Sequence, residues 1–265
     1  MAAVNPIKDR KQLKLAGKFI DKQQLGYQAI YHIGISTGLR TTDITELEWS
    51  CINFDKGTVT LNENKGTRAA QARARLKVLE QVKGELIALN SDDTKAMMNI
   101  FITKPKNIYS LIPDNIIASV DHRIKEAIAK APAKNRTAKL SPKALTALRS
   151  LNAKNSKIDG GCIFSRNTFA SNRARNIDGV ISRQSVYRLF KMLESYLAGI
   201  GEKVSNLGAH SARKIAAWCL YTASNHNIAL VMKAMGWSSE VMVLRYLAIG
   251  DNEELEAFEL AHKAM

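Results

Sequence analysis

Four separated stretches of this chain put guanidinium, ammonium, imidazole, indole and phenol groups at spacings that suit work on an anionic group. The first is Thr37-Gly38-Leu39-Arg40, with Asp43 three residues after the arginine. The second is Lys65, within Asn62-Glu63-Asn64-Lys65-Gly66. The third is His210-Ser211-Ala212-Arg213, and the fourth is Gly236-Trp237, with Tyr246 nine residues after the tryptophan. Arg40 and Arg213 each offer a forked set of donors for anionic oxygens, a geometry that a lysine ammonium lacks. Asp43 shares a helix face with Arg40 and can orient its guanidinium, or act simply as an acid at a helix N-terminus. His210 and Arg213 lie three apart at a helix start, where the dipole adds positive potential. Trp237 can donate its indole N–H while its ring packs. Each piece alone has a bland reading: an arginine is a surface cation, a histidine a structural cap, a tryptophan after glycine a core side chain.

The charge names the class of partner. The 265 residues include 39 Lys or Arg against 24 Asp or Glu, a formal net charge of +15. Residues 100–191 hold 18 Lys or Arg and only 5 Asp or Glu, whereas the segment from Ala248 to Met265 carries Asp251, Glu253, Glu254, Glu256 and Glu259 against Lys263. A fold does not need so sustained a basic excess, but a polyanion does, and nucleic acid is the default candidate. With 46% hydrophobic residues there is ample material for a core. No stretch approaches the ~18 uninterrupted apolar residues of a membrane span, and the N-terminus lacks the apolar run of a secretory signal. Cys51, Cys162 and Cys219 are odd in number and far apart, which fits a reducing, cytoplasmic setting and gives no zinc spacing.

The elements that must hold these groups follow from periodicity and punctuation. Leu25 to Thr37 has helical spacing and Gly38 as its C-cap. Thr41 or Thr42 can cap a short helix from Asp43 to Trp49. Thr58 to Leu61 reads as a strand, followed by a turn that holds Lys65. Ala69 to Leu89 reads as helix, and residues 90–138 as one or two helices with loops. Ser141-Pro142 starts a helix over Lys143 to Leu151. Cys162 to Phe164 reads as a short strand and Ser165 to Asn176 as a basic loop. From Ser182 onward Val186, Leu189, Phe190, Leu193 and Leu197 form one apolar stripe, and Gly199 and Gly201 end it. Helices follow over His210 to Ala223, Asn227 to Met235, Ser239 to Leu247 and Glu253 to Lys263. The pattern is mainly α with a small antiparallel β-sheet (α+β).

Taken together and in order, the four stretches resemble the tyrosine recombinase (phage integrase) family. The match is close at Gly208-Ala209-His210-Ser211-Ala212-Arg213 and at Met235-Gly236-Trp237-Ser238-Ser239 with Arg245-Tyr246, and it covers about residues 25–68 and 139–250. The resemblance implies the catalytic-domain fold of that family and a site made of Arg40, Lys65, His210, Arg213, Trp237 and Tyr246, with Asp43 in support. Of the seven tyrosines, only Tyr246 has the family's spacing to the tryptophan, which makes it the nucleophile. It would attack a DNA phosphodiester to give a 3′-phosphotyrosine and a free 5′ hydroxyl. The arginines would clamp the non-bridging oxygens, and His210 would accept the phenol proton or donate to phosphate. Lys65 would protonate the leaving 5′ oxygen; Lys139, on the other side of residues 69–138, is the alternative. In a recombinase the hydroxyl then attacks a partner duplex and the reaction passes through a Holliday junction. No cofactor and no metal is expected, because Arg, Lys and His supply the charge that Mg²⁺ gives in a two-metal nuclease.

Three departures and extensions complete the expectations. The chain reads as one catalytic domain over residues 1–265, without room before Arg40 for the family's N-terminal clamp, so it is a fragment or a minimal enzyme. Residues 69–138 form a basic insertion where relatives have a short turn, either a DNA-contacting lobe or a helical decoration. Residues 251–265 form an amphipathic helix, with Leu255, Phe258, Leu260 and Ala261, that would dock into a neighbouring protomer of a homotetramer on double-stranded DNA. Lys134, Arg136, Lys139, Arg173, Arg175, Arg183 and Arg188 are the expected backbone contacts. Accessory DNA-bending proteins would be further partners. Integrase, plasmid or mobile-element resolvase and inversion enzyme stay open, with a lean to a compact plasmid or mobile-element recombinase. The alternatives are a type IB topoisomerase, a hairpin-telomere resolvase and a DNA-binding protein that has lost catalysis.

Overall fold

Helix signals dominate the sequence and helices dominate the structure, a computed structural model that describes residues 4–133, 135–155, 161–165, 180–247 and 262. The chain divides into two compact units, one of Met1–Leu61 with Thr137–Met265 and one of Asn62–Arg136.

The first unit opens with α1 (Arg10–Ile20), capped by Asp9, whose carboxylate accepts from the Gln12 backbone N–H at 2.8 Å. The sequence reading placed no helix there. α2 (Leu25–Thr37) ends at Gly38, which sits in the left-handed region at φ 62°. α3 (Thr41–Thr45) is shorter than the expected helix, and a 3-10 turn follows at Trp49–Cys51. Neither threonine caps α3, because Arg40 takes the N-cap position and Thr41 Oγ1 instead donates to the Ala209 carbonyl at 2.6 Å.

β1 (Ile52–Asn53) pairs antiparallel with β2 (Thr58–Asn62), Ile52 opposite Val59, and β3 (Asn135–Lys139) completes a three-stranded sheet in the order β1-β2-β3. The Leu140 N–H donates to Gly57 O at 2.9 Å, and the hydroxyls of Thr60 and Thr137 meet at 2.9 Å, so β3 runs antiparallel to β2. Ser141 Oγ accepts from the Ala144 N–H at the start of α7 (Pro142–Asn155). Cys162 to Phe164 forms no strand ladder: Glu48 with Cys162 and Ser165 with Val180 are single bridges. The chain turns at Ile163 and Phe164, so neither bridge extends into a ladder among the described residues.

α8 (Arg183–Gly199) buries the expected stripe of Val186, Leu189, Phe190, Leu193 and Leu197. α9 (Ser211–Ala223), α10 (Ile228–Met235) and α11 (Glu240–Leu247) follow, with Gly236 ending α10 at φ 67°. Tyr31, Ile33, Leu148, Phe190 and Ile215 lie in one apolar core. Ala217, Val231, Met235, Trp237, Val243 and Leu247 fill a second that binds α9, α10 and α11 together. No helix among the described residues is long and apolar enough to cross a membrane.

The second unit holds α4 (Asn64–Leu89), α5 (Thr94–Ile102), a 3-10 segment (Pro105–Leu111) and α6 (Asp114–Lys130) around its own core of Leu79, Val82, Ile108, Val120 and neighbours. The turn expected at Asn62 to Gly66 is a correction: from Asn64 the chain is already helical. The Ala-, Arg- and Leu-rich run propagates back through Gly66, and a glycine in a first turn costs little because the N–H groups there lack helical partners anyway. Arg136 is buried and its Nη1 donates to Glu63 Oε1 at 3.1 Å, tying the start of the unit to its end. Glu63→Ala leaves that guanidinium buried without its carboxylate, an expected loss of about 3–5 kcal/mol in urea unfolding. A loss below about 1 kcal/mol would remove the pair from any structural role.

Candidate active site

α2, α3 and α9 converge because glycines let them. A Cβ on Gly34 would lie 2.8 Å from Ala212 Cβ, and one on Gly38 would lie 2.6 Å from Met235 Sδ. Bare backbone at both positions draws the end of α2 onto the first turn of α9, which carries His210 at its N-cap and Arg213 at its third residue. Thr41 fastens the same joint from α3 through its bond to Ala209, so Arg40 and His210 are tethered one residue either side of one hydrogen bond.

Arg213 is 1% exposed. Its Nη1 donates to Gly38 O and its Nη2 to Met235 O at 3.0 Å, so the guanidinium links the ends of α2 and α10. The same group lies 5.4 Å from the Trp237 ring centre and 5.8 Å from that of Tyr246. The Trp237 and Tyr246 rings pack with centres 4.6 Å apart. Trp237 is 7% exposed, and its buried Nε1–H has no hydrogen-bond partner among the described residues. Such a donor costs about 1–3 kcal/mol unless something accepts from it.

Arg40 Nη1 lies 3.5 Å from Asp43 Oδ2, the i,i+3 pair that the sequence suggested. His210 keeps an exposed side chain, but protein packed around the ring, then the cations of Arg183, Arg213, Arg40 and Lys214, hold its pKa below the usual imidazole value. A neutral imidazole among cations is suited to accepting a proton. The arrangement therefore combines fixed positive charge, a neutral base, a buried N–H donor and a half-buried phenol. That set can hold an oxyanion beside a nucleophile.

The remaining expected residues fall elsewhere. Lys65 is the second residue of α4. Lys139 Nζ donates to Lys56 O at 2.6 Å in the β1–β2 turn. Arg136 is held by Glu63 rather than displayed. Arg183, the first residue of α8, and Arg188 are exposed. Lys134, Arg173, Arg175 and, apart from residue 262, the expected helix over 251–265 lie outside the described residues. Among those residues no group of three His, Cys, Asp or Glu side chains could hold a metal ion. One residue near the site escaped the sequence reading: Lys214, four positions after His210 and 8% exposed. The i,i+4 spacing was its only signal.

The phage integrase family matches residues 9–111. No curated protein matches the chain. Three solved structures share its fold. XerA recombinase superposes with a TM-score of 0.53 at 11% identity, over 98% of this chain and 65% of that one. The Tn1549 transposon integrase in complex with a circular intermediate DNA gives 0.52 at 14% identity, over 98% and 67%. XerH site-specific recombinase bound to palindromic difH substrate gives 0.54 at 13% identity, over 98% and 54%. The chain thus spans 65% of the XerA chain and 54% of the XerH chain. It has the tyrosine recombinase catalytic-domain fold, and its sequence matches the phage integrase family over residues 9–111.

Proposed function

We propose that the chain is the catalytic part of a site-specific DNA recombinase acting through Tyr246. The observation that carries this reading is the packing of Arg213 against Trp237 and Tyr246, with a buried indole N–H that has no acceptor among the described residues. A phosphate oxygen bound there supplies that acceptor and lies next to the phenol. Tyr246 Oη attacks phosphorus as the bond to the 5′ oxygen breaks, and His210 takes the phenol proton. Arg40, Arg213 and Trp237 hold the non-bridging oxygens, and a lysine, Lys65 or Lys139, delivers a proton to the leaving oxygen. The ester energy stays in the phosphotyrosine, so rejoining to a second duplex needs no nucleotide. Assembly as a homotetramer, with residues 251–265 as the docking segment, belongs to the same reading.

The test begins with DNA selected from a random pool for binding to the chain. A nicked suicide version of the selected site should yield a covalent protein–DNA adduct, and two labelled duplexes should exchange strands. Relaxation of supercoils without exchange would point to a type IB topoisomerase instead. Selected DNA that binds tightly and never forms an adduct would leave a DNA-binding protein without catalysis.

A further inference from the structure

His210 stands at the N-cap of α9, so the chain that leads into it decides where its imidazole sits. That lead-in, residues 202–208, has no regular structure of its own. α8 ends at Gly199, and Gly201 turns the chain at φ 83°. The Glu202 N–H still donates to Leu197 O at 3.0 Å, and by Asn206 the chain is beside Glu194. The loop therefore runs back along the last turns of α8 before it enters α9.

Glu194 spends both carboxylate oxygens on this loop. Oε1 accepts the Asn206 N–H at 3.0 Å, and Oε2 accepts the Leu207 N–H at 2.9 Å. Lys191, one turn earlier on α8, donates to Oε2 at 2.7 Å. Successive backbone N–H groups converge on one anion when a residue among them is left-handed, and Asn206 has φ 58°. Asparagine enters that region more readily than most residues. Burial works against the charge of Glu194, but the Lys191 ammonium and the N–H groups of Leu207 and Asn206 hold its carboxyl below the usual glutamate value. It is thus an anion at neutral pH, as the cradle requires.

The hold is passed on to His210 over a few residues. Leu207 is buried in the core. The Gly208 N–H donates to Ser211 Oγ at 3.0 Å, and the Ser211 N–H donates back to Gly208 O at 2.8 Å. His210 lies inside that clip. The other groups of the proposed site hang on different tethers: Arg213 on the carbonyls of Gly38 and Met235, and Tyr246 on α11.

We propose that Glu194 is the positioning residue of His210, its carboxylate shaping the Asn206–Leu207 backbone so that the imidazole is held in place for the proton transfer. Without the carboxylate, two backbone N–H groups lose their acceptor and Asn206 is free to leave the left-handed region. The direction of the chain at Gly208, and with it the start of α9, then changes. Glu194 acts through this loop and needs no contact with DNA or with the reacting atoms. This inference rests on the DNA-cleaving reading and adds to it a residue of α8 that supports the base.

The test is single-turnover cleavage of the nicked suicide substrate by the full chain at saturating DNA. Glu194→Ala should lower the rate by about 10²-fold, and Glu194→Gln, which keeps one acceptor oxygen, by about 10-fold, the scale of a small misplacement of a reacting group. Duplex affinity, read by anisotropy, should stay that of the wild type in both. Lys191→Met leaves both backbone bonds in place and should cleave as the wild type does. The deciding measurement repeats Glu194→Ala in a His210→Ala background, where the group to be positioned is gone and the rate should fall by no more than about 2-fold. A merely structural Glu194 would cost the same factor in both backgrounds, and that result overturns the proposal. A Glu194→Ala protein with the wild-type rate overturns it too, as does a Lys191→Met protein that loses as much, since the ion pair would then matter and not the loop. If Glu194→Ala fails to fold, Glu194→Gln takes its place in both backgrounds under the same criteria. A wild-type chain that never cleaves the DNA it selects would defeat the recombinase reading, and this inference with it. Wild-type cleavage that the Glu194 variants leave unaltered defeats the positioning role alone.

Discussion

Tyr246→Phe is expected to bind the selected duplex as the wild type does and to form no covalent adduct with it. The substitution removes one oxygen and little else. Among the described residues the Tyr246 hydroxyl makes no hydrogen bond, while its ring packs 4.6 Å from Trp237 and lies 5.8 Å from the Arg213 guanidinium. Phenylalanine keeps both ring contacts, so unfolding free energy should change by no more than about 0.5 kcal/mol. The reaction loses its nucleophile, and single-turnover cleavage of a suicide substrate should fall by at least about 10⁴-fold. Denaturing gels read the adduct and anisotropy reads binding on the same samples. An adduct of wild-type yield in the variant would move the nucleophile to another residue. Loss of binding together with the adduct would make Tyr246 a DNA-contacting or structural side chain.

What could be read without the structure depended on the range of the interaction responsible. Gly38 and Gly236 were legible as helix ends, because a left-handed C-cap asks for glycine whatever surrounds it. The Arg40–Asp43 pair and the His210–Arg213 step were legible because three residues along a helix fix a shared face. The stripe of α8 was legible because burial follows the 3.6-residue period. Thr41 was misread as a cap because its true acceptor, Ala209, lies 168 residues away. α1 was missed because Leu13, Ala16 and Ile20 are diluted by lysines, and only packing in the finished core reveals which face they form. The helix through Lys65 was missed because Asn, Gly and Thr together look like a turn, and the long run behind them outweighs that local preference. Residues 69–138 read as an insertion; that residues 62–136 form a compact unit with its own core around Leu79 and Ile108 depends on contacts among helices whose ends the sequence blurred.

Arg213→Ala and Arg213→Lys should separate two roles that one side chain combines. Arg213 is among the largest fully buried side chains of the described residues, and its two terminal nitrogens serve the carbonyls of Gly38 and Met235. Alanine leaves both carbonyls buried without those donors and opens a cavity beneath the Trp237 and Tyr246 rings. Each stranded carbonyl costs about 1–3 kcal/mol, so a total loss of roughly 3–5 kcal/mol in urea unfolding is expected. Lysine restores a charge but not the fork: an ammonium on a flexible stem cannot sit between two carbonyls and also keep a planar cation beside both rings. Its stability should fall by about 2–3 kcal/mol. Its cleavage rate, measured in single turnover where the variant is folded, should fall by about 10²–10³-fold, the usual effect of removing one oxyanion donor. The two readouts decide between the roles. If Arg213→Lys is destabilised yet cleaves at the wild-type rate once folded, Arg213 only ties α2 to α10. If it folds with near wild-type stability and cleaves poorly, the guanidinium acts on phosphate and the carbonyls find other donors. The geometry predicts both losses together, because the bonds to Gly38 and Met235 are what hold the guanidinium beside Tyr246 before any DNA arrives.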